Sequence, residues 1–324
     1  MNRPLRTAFY ALATAALTLT GCQTAQPDSD PAAADIALAG ATCGAVGGDL
    51  STPPNAIEPN SGRQFHLEYP CDLEVDEPVV LVLNLHGGGS FGEWQRLYFP
   101  IGDYVSEFRM VVATPTAVTE TPFRMWTADA DDQYLQDLSS LLIGRIGESN
   151  IRSFWLAGHS QGGLTSSRII CSDYFASRVD GFVSLAGGRV GMRLGGDPTC
   201  DFSHIHTTGE FDTAGVAGIP DTSPLADRFN CDARVRAPDI VDTEAGKTYD
   251  ARSEATGRPP REGWGGRPAP GTAEVYIFPN CDEGQVVADI VRLNKGHTEG
   301  LEPRVTHYIA QLMASVPPGK LHSR

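Results

Sequence analysis

The stretch "PVVLVLNLH", Pro78 to His86, is apolar almost without interruption and rich in branched side chains. A strand wetted on one face alternates polar and apolar residues. A run apolar at every position belongs to a strand covered on both faces, as in a parallel sheet packed between helices. "FRMVVATPT" (108–116), "RSFWLAG" (152–158), "VDGFVSLAGG" (179–188) and "SHIHTTG" (203–209) extend the pattern. Between them the period shifts toward 3.6. Residues Gly92 to Phe108 are compatible with a helix, and 129–147 place Tyr134, Leu135, Leu138, Leu141, Leu142 and Ile146 at helical spacing behind an acidic first turn. Another helix is expected from about Gln161. Strands alternating with helices predict an α/β fold with a mainly parallel central sheet and helices on both faces.

Residues 213–272 break the alternation. "GRPPREGWGGRPAPG" typifies a Gly-, Pro- and charge-rich stretch, expected to be an irregular insertion near the active-site edge of the sheet. Order resumes with two strands, "AEVYIFPN" and "GQVVADIVRLNKG", and a closing helix, "EPRVTHYIAQLMASV". No internal repeat is present.

The formal net charge is −15, and no basic patch or arm occurs. That argues against nucleic acid, whose phosphates need clustered Lys and Arg. The N-terminus, "MNRPLRTAFYALATAALTLTGC", has two arginines, an apolar run from Ala8 to Leu19, then Leu-Thr-Gly-Cys. The run is short for a bilayer span and has the layout of a secretory signal. Its end resembles a bacterial lipobox. The expected organisation is a lipoprotein signal peptide over 1–21, acylation of Cys22, a flexible tether over 22–40 and one catalytic domain over 41–324. Export to the outer membrane or a periplasm-facing site follows from Gln23 after the cysteine, with plain secretion as the alternative. The membrane partner is then reached through the lipid anchor.

Six further cysteines remain: Cys43, Cys71, Cys171, Cys200, Cys231 and Cys281. An even number in an exported chain favours disulfides. Six cysteines allow 15 pairings; the one adopted joins sequence neighbours, 43–71, 171–200 and 231–281. No C-x-x-C pair supports a zinc site, and no metal or other cofactor is expected. An H-x-H pair, His204 and His206, shares a strand face but has no evident third ligand.

"FWLAGHSQGGL" (154–164) contains Gly158-His159-Ser160-Gln161-Gly162, a G-x-S-x-G pattern. Glycine makes up 35 of the 324 residues, so the pattern alone has little weight. Its setting is specific: an apolar strand before it and a glycine-led helix after it, as a strained nucleophile turn requires. "LHGGG" (85–89) closes an earlier strand and suits an oxyanion loop. The expected donors are the backbone N–H of Gln161 and of Gly88 or Gly89. His297 follows the nucleophile, sits on a loop after the last strand, and has a glycine before it. Imidazole titrates in the range a general base needs. The acid should lie between them in the chain. Asp212, three residues past Gly209, is the first candidate and Glu210 its neighbour and competitor; Asp227, Asp239 and Asp242 lie in the irregular stretch.

Taken together, HGGG, Trp126 with "DDQYL", "AGHSQGG", "TTGEFD", "CDEGQVV" and "GHTEGLEP" resemble the polyhydroxybutyrate-depolymerase and feruloyl-esterase group of α/β hydrolases over roughly residues 75–315. The resemblance implies the α/β-hydrolase fold, cleavage of carboxylic esters without a cofactor, and Ser160, Asp212 and His297 as nucleophile, acid and base. Relatives often carry Trp-Pro after the threonine that follows the histidine; here Glu299 and Gly300 stand there. The expected function is an exported serine esterase for small or aromatic, feruloyl-type esters, with Trp126, Trp264 and His159 as candidate substrate contacts. The alternatives are a polyester depolymerase, a serine peptidase on the same fold, and an inactive surface lipoprotein.

Overall fold

The computed structural model describes residues 41–323 except 46, 121–122, 213–218 and 251–263. The expected signal peptide, Cys22 and the tether lie outside the described residues. In β3 (Val79–Leu85) and β4 (Met110–Pro115) every residue is buried. The same holds for β6 (Gly181–Leu185), β7 (Ser203–Gly209) and β10 (Val287–Arg292), and for all of β5 (Ile151–His159) but Arg152. These six strands pair in parallel in the order β4-β3-β5-β6-β7-β10. Four antiparallel strands complete a ten-stranded sheet: β1 (Ala56–Glu58) and β2 (Arg63–Glu68) beyond β4, and β9 (Thr272–Phe278) and β8 (Val235–Val241) beyond β10. A crossed-over parallel sheet of this order with an antiparallel start is the α/β-hydrolase fold.

The double-sided burial read from the apolar run has a direct counterpart in packing. Successive residues of a strand point to opposite faces. Val79, Leu81, Leu83 and Leu85 therefore join one apolar layer, with Leu135, Leu138 and Leu142 of α3 (Ala128–Ile146) and Ile169 of α4 (Gln161–Ile169). Val80 and Val82 join the other, with Val305, Ile309 and Met313 of α6 (Pro303–Ser315). Burying each such side chain contributes about 1.5–3 kcal/mol. α6 begins at Pro303, where a missing N–H costs nothing, and the remote Asp242 carboxylate accepts the next two N–H groups, of Arg304 and Val305, at 2.9 and 3.3 Å.

Three features depart from the sequence reading. The helix expected over 92–108 is broken into α1 (Gly92–Tyr98), a 3₁₀ turn (Ile101–Tyr104) and α2 (Val105–Phe108). Pro100 lacks an N–H and forces Phe99 out of helical geometry (φ −121°, ψ 84°). β2, a strand that the apolar pattern did not mark, carries His66 into the sheet at 1% exposure. The stretch 213–272 is not wholly an irregular insertion at the active-site edge. Its described part holds α5 (Pro224–Arg228) and β8, which forms the far edge of the sheet. β8 is largely exposed, carries Arg236 and Asp239, and slips register around Pro238. Proline and charge are tolerated there because an edge strand leaves one side unpaired.

The cysteines pair as sequence neighbours, Cys43–Cys71, Cys171–Cys200 and Cys231–Cys281. Closing loops of 28, 29 and 50 residues restricts the unfolded chain by about 3–4 kcal/mol each in the chain-entropy account. The first bond fastens the segment ahead of β1. The second joins the end of α4 to the approach to β7, and the third holds the β9–β10 turn. Among the described residues no helix is long and apolar enough to cross a membrane.

Candidate active site

β5 ends at His159 and α4 begins at Gln161, leaving Ser160 alone at the turn with φ 50° and ψ −114°. Such a conformation costs a non-glycine residue on the order of 1–3 kcal/mol and persists only where its surroundings enforce it. Here the flanking glycines do so. A Cβ on Gly158 would lie 2.4 Å from the Gly162 carbonyl, and one on Gly162 would lie 2.4 Å from the Leu85 oxygen. The Ser160 N–H donates to the Leu185 oxygen at 2.8 Å, locking the turn to β6.

β7 and β10 deliver the other two groups. His297 Nε2 lies 2.8 Å from Ser160 Oγ, and its Nδ1 lies 2.9 and 3.1 Å from the two oxygens of Asp212. A carboxylate only accepts, so Nδ1 carries the proton and Nε2 is left to accept from the serine hydroxyl. Asp212 is buried and also accepts from Thr208 Oγ1 at 3.3 Å. Glu210, the competing acid, turns away and accepts the Asn294 N–H at 2.8 Å. Asp242 is occupied in capping α6 and Asp239 in pairing with Arg236. Asp227 is the acidic residue in the first turn of α5.

His159, expected as a substrate contact, lines the cleft and also braces the His297 loop. Its Nε2–H donates to the His297 carbonyl at 2.9 Å, and Tyr98 Oη reaches the same oxygen at 3.4 Å. Burial, then the neighbouring His297, lower the His159 pKa to about 3, so this second imidazole stays neutral beside the first. Its ring borders the cleft while 4% exposed. His86 is likewise pushed down to about 4 by burial. It accepts the Ala117 N–H on Nε2 and donates from Nδ1 to the Gly87 oxygen, which shapes the glycine loop from within.

The oxyanion expectation is corrected at one position. The Gly89 N–H donates to the Arg124 oxygen at 2.6 Å and is not available to a ligand. Gly88 faces the first residue of α4: a Cβ on Gly88 would lie 3.6 Å from the Gln161 Cβ. The first N–H groups of a helix have no partner within it, so Gln161 and Gly88 stay the candidate donors.

Trp126 is not a cleft residue. It is 3% exposed, donates Nε1–H to the His86 oxygen, and exchanges two hydrogen bonds with the Gln161 side-chain amide. Residue-type reasoning missed this clamp because nothing in the motif marks the Gln161 side chain as its partner. Trp264 does line the cleft, edge-on to the His297 ring with centroids 5.0 Å apart. The cavity above Ser160 has a volume of about 530 Å³ and is walled by Leu50, Phe91, Trp94, Phe123, Met125 and Trp264. Asp250 is the one carboxylate among its described lining residues, which hold no Lys or Arg. Most of these aromatic residues belong to no motif and left no mark in the sequence.

His204 uses both ring nitrogens on backbone, accepting the Val190 N–H and donating to the Phe182 oxygen. It is therefore not poised as a metal ligand. Among the described residues no group of three or more His, Cys, Asp or Glu side chains could hold a metal.

No family model and no curated protein matches the chain. Solved structures do resemble it in fold. An acetyl xylan esterase from Aspergillus awamori aligns with TM-score 0.47 and 10% identity, covering 78% of this chain and 95% of that one. TT1662 from Thermus thermophilus aligns with TM-score 0.44 and 14% identity over 82% and 96%. Butyrate-bound esterase 2 from the Planctomycetes species Thermogutta terrifontis gives 0.36 and 12% over 48% and 70%. The fold assignment rests on strand order, and the site on its own distances.

Proposed function

We propose that the chain is a carboxylic ester hydrolase working through a Ser160–His297–Asp212 triad. The carrying observation is the unbroken relay from Ser160 Oγ through His297 to Asp212 at the floor of a cleft. Ser160 Oγ attacks the ester carbonyl carbon as its proton passes to His297 Nε2. The carbonyl electrons move to oxygen, where the N–H groups of Gln161 and Gly88 meet the developing charge. Collapse expels the alcohol, which takes the proton from His297. Water then attacks the acyl-enzyme with His297 again as base, releasing the acid and restoring Ser160. Asp212 holds the tautomer and stabilises the imidazolium.

The walls favour an uncharged acyl group, small or aromatic, of the feruloyl type. A polyester substrate is the second reading, supported by Leu50 and Phe123, which stand 47% and 52% exposed at the cleft. Three disulfides support an oxidising compartment and hence export. The lipobox-like end supports acylation of Cys22, testable by mass spectrometry of the mature N-terminus. The function is tested with p-nitrophenyl, feruloyl, polyester and peptide substrates, run beside Ser160→Ala. Ester turnover lost in the variant is expected. Peptide cleavage alone, or no turnover of any substrate, would contradict it.

A further inference from the structure

Glu299 is a carboxylate buried to 4% exposure, two residues past His297. Burying a carboxylate is costly unless hydrogen bonds replace its water. Both replacements here are backbone N–H groups, and they come from different segments. Oε2 accepts the Gly296 N–H at 2.8 Å, next to His297, and Oε1 accepts the Gly266 N–H at 3.1 Å, two residues past Trp264. Thr298 adds two more ties, donating its N–H and its hydroxyl to the Trp264 oxygen at 3.1 and 2.5 Å.

The surrounding glycines are shaped to this contact. Gly265 has φ +94°, and a Cβ there would lie 1.9 Å from Glu299 Oε2; one on Gly296 would lie 2.4 Å from the Gly265 nitrogen. The Glu299 backbone is itself anchored to the sheet. Arg292 of β10 donates to the Glu299 and Gly300 oxygens at 2.8 Å each, while its Nε pairs with Glu302. A continuous path thus runs from β10 through Arg292 and Glu299 to the turn bearing Trp264, which forms one wall of the cleft.

We propose that Glu299 is a positioning residue for acyl-group selection: its carboxylate clasps the 264–266 turn onto the His297 loop and so fixes the Trp264 wall. The inference rests on the ester-hydrolase reading for its substrate readout. Glutamine keeps the shape of Glu299 but can accept only one of the two N–H groups through its single oxygen. The test compares kcat/KM for methyl ferulate and p-nitrophenyl acetate in the full-length wild type and Glu299→Gln, with melting curves to verify folding. Amide hydrogen exchange over 264–266 is followed in the same proteins.

The ferulate-to-acetate ratio is expected to fall about tenfold, with faster exchange over 264–266. Equal loss on both esters, or no change in either, overturns the proposal, because a general structural defect lowers both rates together. If Glu299→Gln does not fold, Thr298→Val, which removes the hydroxyl tie to the same turn, decides on the same ratio. A wild type inert on both esters sinks the ester reading instead, and the exchange measurement still tests the clasp.

Discussion

The two sides of the cleft are held in different ways. On one side the proposed reacting groups sit at strand ends: Ser160 immediately after β5, Asp212 three residues past β7, and His297 five past β10. Those strands are buried, parallel and in register, so their ends are fixed by the whole core. On the other side Leu50, Phe123, Tyr249 and Trp264 come from loops. Trp264 is held by a few hydrogen bonds from the His297 loop. The difference separates chemistry from selectivity. Changes at strand ends should alter the rate of bond cleavage, and changes in the loops should alter which ester is cleaved.

The hardest blow to the first side is Ser160→Ala, expected to lower kcat on p-nitrophenyl acetate by on the order of 10⁶-fold with little change in KM. Asp212→Asn should cost about 10³–10⁴-fold by allowing the wrong His297 tautomer. Glu210→Gln, next door, should stay within about twofold. If those two effects were exchanged, the assignment of the acid would be wrong.

Acid should loosen the rigid side through its buried imidazoles. Burial lowers His159 to about 3, and His86 and His206 to about 4, from an ordinary 6.5. The unfolded chain therefore binds protons that the folded chain refuses, and stability falls as pH drops from about 6.5 toward 4. Urea unfolding between pH 7 and 4.5 should register a loss of a few kcal/mol, part of which His206→Leu should remove. A pH-independent urea midpoint would contradict neutral burial of these rings.

On the loop side the expected effects are smaller and selective. The Glu299→Gln change should appear in the ratio of ferulate to acetate rates. Phe123→Ala, at a half-exposed position, should raise KM for methyl ferulate about two- to fivefold by removing apolar contact. A drop in kcat on both esters would place Phe123 on the chemical side.

The same division explains what could be read from the sequence. That Ser160, Asp212 and His297 would come together was legible because strand ends are marked by apolar runs and by the glycines a sharp turn needs. The disulfide pairing followed chain order, which the structure repeats. Gly89 was mistaken for a donor because a three-glycine loop does not reveal which N–H the chain itself consumes, here through Arg124. Trp126 and Trp264 look alike as residues. One is buried behind the glycine loop and the other lines the cleft, and only long-range packing separates them. β8 escaped notice because an exposed edge strand with Pro238, Arg236 and Asp239 lacks the apolar pattern that marks interior strands.

The central claim is that Ser160 becomes covalently acylated through His297. Incubation of the protein with an alkyl fluorophosphonate, followed by peptide mass spectrometry, tests it most directly. One adduct per chain on the Ser160 peptide is expected, absent in Ser160→Ala and much slower to form in Asp212→Asn. Ester hydrolysis that continues with Ser160 unlabelled, or an adduct on another side chain, would contradict the account.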